Sequence, residues 1–154
     1  MSDTWLVVFP ADPGWVPSNE QAAAAAKVIA ELIPTEVADQ PDLRLTPNIE
    51  FIDAGSNFGA LRCPACGQDL ELSWWHEQMD RQYRRDTGFH LQPVTVPCCA
   101  RTTTLNDLAY GWPLGFARWQ ATTLSPDRGW LTDAELSEIG QALGHPVRQT
   151  ARHI

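Results

Sequence analysis

Cys63-Pro64-Ala65-Cys66-Gly67 opens the stretch around which this chain is organised, and Pro97-Cys98-Cys99-Ala100-Arg101 closes it. All four cysteines lie there, as two close pairs. Two residues between thiolates let the sulfurs of Cys63 and Cys66 reach one ion at about 2.3 Å. Gly67 permits the turn that aims backbone amides at sulfur, and Pro64 stiffens it. Thiolates without an accompanying carboxylate cluster select zinc over magnesium or calcium. The second pair departs from this spacing: Cys98 and Cys99 are adjacent, and Ala100 stands where a turn glycine is expected.

The reading is one structural Zn2+ on Cys63, Cys66, Cys98 and Cys99, since four protein ligands leave no open position for water or substrate. A set using His90 or His76 with one of Cys98 and Cys99 is an alternative; a disulfide, a redox pair and free thiols are the others. A redox pair needs a βαβ setting and a helix starting at its first cysteine, and Gly67 argues against that.

Before this stretch, residues 5–9 form an apolar run stopped by Pro10 and read as a strand. Ser18, with Gln21 three residues on, signals a capped helix running through five alanines to Pro34. Ala22, Ala25, Ile29 and Ile33 share one face of it. Residues 34–47 read as a loop holding one short extended piece, 43–46, and residues 49–53 as the next strand. Inside the cysteine stretch, residues 70–75 read as an outgoing strand and 75–83 as a helix. Residues 94–96 return the chain to the second pair.

Beyond it, 104–108 suggest a short helical turn and 116–124 the longest strand, with Ala117, Trp119, Ala121 and Thr123 toward the core. Thr132 and Glu135 make a second capping box, flanked by a Leu131–Leu136 staple, and Gly144 ends that helix. Residues 147–154 supply a final strand. Without the cysteine stretch, the order is strand, helix, strand, strand, helix, strand. That is the ferredoxin-like βαββαβ pattern, an α+β sandwich with an antiparallel sheet and both helices on one face. The cysteine stretch replaces the hairpin between the second and third strands, a junction that tolerates insertion.

The chain has 154 residues and a formal charge of -8. An acidic chain repels phosphate backbones, so nucleic acid is a disfavoured partner, and the Arg81, Arg84, Arg85 group is flanked by Asp80 and Asp86. No apolar run is long enough to span a membrane, and no signal peptide opens the chain, so a cytoplasmic protein is expected. Seven tryptophans are many for this length. Trp74, Trp75, Trp112 and Trp119 are expected to fill the junction between the cysteine stretch and the sheet, or to expose an aromatic patch to a protein partner.

The Cys-Pro-x-Cys-Gly knuckle at 63–67 resembles that of the zinc ribbon class. The resemblance implies a zinc-ribbon-like insertion, residues 60–102, within one domain over 1–154. The chain also resembles small bacterial α+β proteins interrupted by this motif, through Phe51-Ile52-Asp53-Ala54-Gly55-Ser56-Asn57, Trp74-Trp75 and Leu105-Asn106-Asp107-Leu108. Three roles stay open. The preferred one is a zinc-stabilised protein-binding or adaptor protein, an immunity-type inhibitor included, with a basic protein as the natural partner. The second is a nucleic-acid-binding ribbon. The third is a metal-dependent enzyme using an open zinc position, with acids and bases drawn from Asp53, Asp69, His76, His90 and Asp107. No Ser-His-Asp set, Walker loop or dinucleotide fingerprint is present.

Overall fold

A computed structural model describes residues 3–154, so residues 1 and 2 of the expected domain lie outside it. In chain order the elements are β1 (Thr4–Pro10), α1 (Asn19–Leu32), β2 (Asp42–Ile52), β3 (Leu61–Arg62), β4 (Asp69–Leu70), α2 (Leu72–Gln82) and β5 (Tyr83–Arg84). They continue with β6 (Gly88–Phe89), β7 (Val94–Thr95), β8 (Thr102–Thr103), β9 (Ala109–Tyr110), β10 (Gly115–Leu124), α3 (Asp133–Leu143) and β11 (Val147–His153). A single 3-10 turn, Leu105–Asp107, stands between β8 and β9. The protein is a mixed α+β fold.

The main sheet runs β11-β1-β10-β2-β6-β5. β1 pairs antiparallel with β10 and β11, and β10 pairs antiparallel with β2. An antiparallel sheet was expected, but β6 lies parallel to β2, through Ile49 and Gly88, so the sheet is mixed. The chain reaches that edge only after crossing over through α2, and a helical crossover is what a parallel pair needs. Gly88 has φ +73°, and a Cβ there would lie 2.6 Å from the Ile49 carbonyl oxygen, so glycine sets how closely β6 can approach.

Both long helices start as their sequences demand. The Ser18 hydroxyl accepts the Gln21 N–H at 3.1 Å, and the Gln21 side chain accepts the Ser18 N–H at 2.8 Å. Thr132 and Glu135 repeat the arrangement in α3, which Gly144 ends at φ 87°. The helices share a core with the sheet: Ala25 and Ile29 from the first with Ile33 just past its end, Ile139 and Leu143 from the second, and Leu6, Val8, Trp119 and Ala121 from β1 and β10. Burying each large apolar side chain stabilises this layer by roughly 1.5–3 kcal/mol.

Side chains alternate along β1, so Val7 and Phe9 point away from the helices, yet both are buried with Ile52 and Ala117. The segment after the second cysteine pair covers this side. Arg148 holds it there, donating to the Leu114 carbonyl at 2.6 Å and to Asn106 Oδ1 at 3.1 Å while stacking 5.7 Å from the Phe9 ring. Trp112 Nε1 donates to the Ala151 carbonyl at 2.9 Å. Both faces of the sheet are therefore covered.

Two local expectations are corrected. β2 is continuous from Asp42 to Ile52 where a loop and two pieces were expected. Pro47 does not break it, because the strand bulges there: Leu45 faces Trp119 and Glu50 faces Ala117, leaving Arg118 alone opposite residues 46–49. A bulge tolerates a residue without an N–H, and the Thr46 hydroxyl closes it by donating to the Asn48 carbonyl at 2.7 Å. Residues 72–75 are helical, where 70–75 was expected as strand. The β-forming tendency of Trp74 and Trp75 gives way to helical spacing, which sets Trp75 and Met79 together against one cluster.

Candidate metal centre

Each cysteine pair sits at the tip of a small hairpin. β3 and β4 flank the first through Leu61–Leu70 and Arg62–Asp69. β7 and β8 flank the second through Val94–Thr103 and Thr95–Thr102. β9 returns to β3, pairing Tyr110 with Leu61, so the root of the segment is closed by strand pairing.

A cluster of side chains fixes the two hairpins to each other and to the sheet: Leu61, Leu70, Trp75, Phe89, Val96, Leu105 and Leu108 pack with Phe116 of β10. Trp75 stands at its centre, stacked on Phe58 at 4.8 Å and edge-on to Phe51 at 5.8 Å. Its indole N–H donates to Tyr110 Oη at 3.0 Å, and the Tyr110 hydroxyl donates to the Leu105 carbonyl at 2.7 Å. Burial pushes the Tyr110 phenol up to about 12. Of the four tryptophans expected there, Trp75 fills the junction and Trp74 is half-buried at its margin, whereas Trp119 lies in the core beneath the helices and Trp112 packs against Trp130.

The four sulfurs lie within 4.8 Å of one another. Cys63 and Cys99 are 3.8 Å apart, and Cys66 and Cys98 are 3.3 Å apart. A tetrahedral ion with metal–sulfur bonds of about 2.3 Å sets its sulfurs about 3.8 Å apart, which the first separation matches and the second falls somewhat short of. All four cysteines are free. Amide groups point at the cluster: those of Cys66 and Ala65 hold the Cys63 thiol down to about 6 against the opposing effect of burial. Burial, and then its sulfur neighbours, push Cys98 up to about 12. The thiolate of Cys63 is thus favoured and that of Cys98 disfavoured, and a cation beside Cys98 would favour its charged form. The donor set, its spacing and its amides fit a soft or borderline divalent metal.

The two knuckles have the same backbone and different ligand positions. In the first, Cys63 N–H donates to the Gln68 carbonyl at 2.9 Å and Gly67 N–H to the Cys63 carbonyl at 2.9 Å. In the second, Val96 N–H donates to the Arg101 carbonyl at 2.9 Å and Ala100 N–H to the Val96 carbonyl at 3.0 Å. Val96 thus occupies the place of Cys63, Cys99 that of Cys66, and Ala100 that of Gly67. Cys98 takes the place of Ala65 and supplies the remaining sulfur. Gly67 has φ +75°, and Ala100 follows it into the left-handed region at φ 57°. The adjacent cysteines sit in the same turn as the first pair, with one sulfur moved two positions along. The sequence signal was the repeated Pro and the small residue after the second cysteine, as in Cys-Pro-Ala-Cys-Gly against Val-Pro-Cys-Cys-Ala.

The other candidates lie outside this group. His90 is engaged by the Thr87 hydroxyl at 2.7 Å, and His76 is exposed beside the Trp75 ring. Asp53 accepts the Gly55 N–H at 3.0 Å, Asp69 pairs with Arg62 at 3.1 Å, and Asp107 accepts the Thr104 hydroxyl at 2.7 Å. They are scattered and do not converge. A cleft of about 180 Å3 beside Cys63 is lined by Pro64, Ala65, Val96, Arg101, Thr102 and Thr103, with no carboxylate or imidazole. Arg148, which sequence reasoning passed over, is the residue that ties the segment to the sheet, and its burial lowers its pKa. Among the described residues no helix is long and apolar enough to cross a membrane. No protein-family model, curated protein or solved structure matches the chain.

Proposed function

We propose that Cys63, Cys66, Cys98 and Cys99 hold one structural zinc ion, and that the protein acts as a cytoplasmic protein-binding or adaptor protein. The single observation behind this is the meeting of four sulfurs, from two hairpin tips distant in sequence, within 4.8 Å. A closed four-thiolate set leaves no coordination position for a substrate, and the neighbouring cleft holds no carboxylate or imidazole. The strand order β11-β1-β10-β2 with α1 and α3 packed on one face supports a ferredoxin-like sandwich, and the paired hairpins support a zinc-ribbon-like insertion between its second and third strands. A formal charge of -8, with Leu72, Tyr83 and Trp130 each more than two-fifths exposed, suits a basic protein partner and disfavours nucleic acid.

Elemental analysis of the reduced, purified chain is expected to find one zinc per molecule. Removing it with a strong chelator is expected to raise amide exchange across residues 61–103 more than across the sandwich. A chain purified without metal, with the same exchange pattern before and after chelator, overturns the metal centre. For the role, the immobilised zinc-loaded chain is expected to retain a protein that elutes with salt. Retention of nucleic acid instead would overturn that part.

A further inference from the structure

β2 pairs with β10 along most of its length, but on its other side only Ile49 meets a strand, at Gly88. Among the described residues, no strand pairs with the outer side of 42–46. An open edge of this kind templates the addition of another strand. This one carries Leu43 and Leu45, 39% and 59% exposed. They stand across from Ala121 and Trp119, so they lie on the side of the sheet that holds the helices. Asp42 and Arg44 alternate with them on the other side, and neither has an ion-pair partner among the described residues. Pro41 and Pro47 flank the run and lack the N–H needed to extend a ladder in either direction.

We infer that this edge pairs antiparallel with the same edge of a second copy, about a two-fold axis, giving one sheet continuous across a homodimer. The charges select both the occupant and the register. Facing residues of an antiparallel pair point to the same side, so the axis falls on one of four residues, 42 to 45, and setting Leu45 against Leu45 puts Arg44 against Thr46 and pairs no charges. Setting Asp42 against Asp42 puts like charges together, and setting Leu43 against Leu45 puts Arg44 against Arg44. Setting Leu43 against Leu43 places Asp42 of each copy opposite Arg44 of the other. Like charges directly opposite destabilise a ladder, and opposite charges stabilise it. The edge is thus complementary to itself in one register, with the leucines meeting at the axis. This inference does not depend on the metal reading.

Sedimentation of the reduced, metal-loaded chain over a concentration series tests it. A dimer is expected below about 100 µM. Asp42→Arg and Arg44→Asp each replace two attractive pairs with two repulsive ones, and each is expected to weaken the dimer at least about tenfold. The double variant exchanges the charges and is expected to restore the dimer to within about threefold of the parent. Circular dichroism checks that each variant is folded. Leu43→Glu, which sets two carboxylates at the axis, is expected to be monomeric and gives a second route should a charge variant unfold. A parent chain that stays monomeric, a dimer indifferent to these changes, or a double variant as weak as the singles overturns the inference.

Discussion

Exchanging the turn residues of the two knuckles gives a matched test of their shared backbone. Ala100 has φ 57° and Gly67 has φ 75°, at equivalent positions of the two turns. The left-handed region costs an alanine roughly 1–2 kcal/mol and glycine almost nothing. Against this, Ala100→Gly frees the unfolded chain by about 0.4–1 kcal/mol. The balance predicts a net stabilisation of about 0.5–1 kcal/mol. Gly67→Ala runs the other way by a similar amount, and no clash enters, because a Cβ at Gly67 meets nothing within 4 Å. If the turns form with metal, the same energy appears as zinc affinity, about two- to fivefold tighter for Ala100→Gly and as much weaker for Gly67→Ala. Competition against a chromophoric chelator, with urea denaturation of the loaded protein, measures both. An Ala100→Gly protein that binds zinc more weakly, or a Gly67→Ala protein unchanged in both assays, refutes the equivalence of the two turns.

Two further outcomes follow from polar pairs elsewhere. Tyr110→Phe leaves the Trp75 indole N–H and the Leu105 carbonyl without a partner. It is expected to cost about 1–3 kcal/mol in denaturant unfolding. The phenol's pKa is raised in the fold, to about 12 from 10. Its contribution is therefore full below about pH 10 and lost as pH rises through about 12, and the pH dependence in that range should shrink in Tyr110→Phe. Glu135 behaves in the opposite sense: Arg128, and then the Thr132 amide, hold its carboxyl down to about 2 from 4.5. Its contribution is present above about pH 4.5 and fades toward pH 2. Thermal unfolding of Arg128→Ala against the parent should show acid sensitivity lessened in that window, and unchanged sensitivity would remove the pair from the account.

The two long helices were legible because each carries its own local signals. Ser18 with Gln21 and Thr132 with Glu135 mark helix starts, and Gly144 marks an end, all within a few residues of sequence. The four cysteines were legible as a group because two close pairs stand at the two ends of a single stretch. What escaped the sequence depends on partners distant along it. Pro47 reads as a break because the bulge that accommodates it needs Arg118 of β10 opposite. The mixed sheet needs Gly88 to close on Ile49, and nothing near Gly88 announces this. The offset of Cys98 was hidden because Val96, an apolar residue, fills the place of a ligand and is buried there.

The pairing of Tyr110 with Leu61 bears on how the molecule comes apart. Because the two stems of the segment are already zipped together, an ion held at its far end would have little chain entropy left to remove from the polypeptide as a whole. Its grip would be spent locally, holding two fingertips together over a palm that Trp75 and Phe116 keep shut. Such a layout favours stepwise fraying: the tips should open first and often, with the helix-bearing half keeping its own, slower clock.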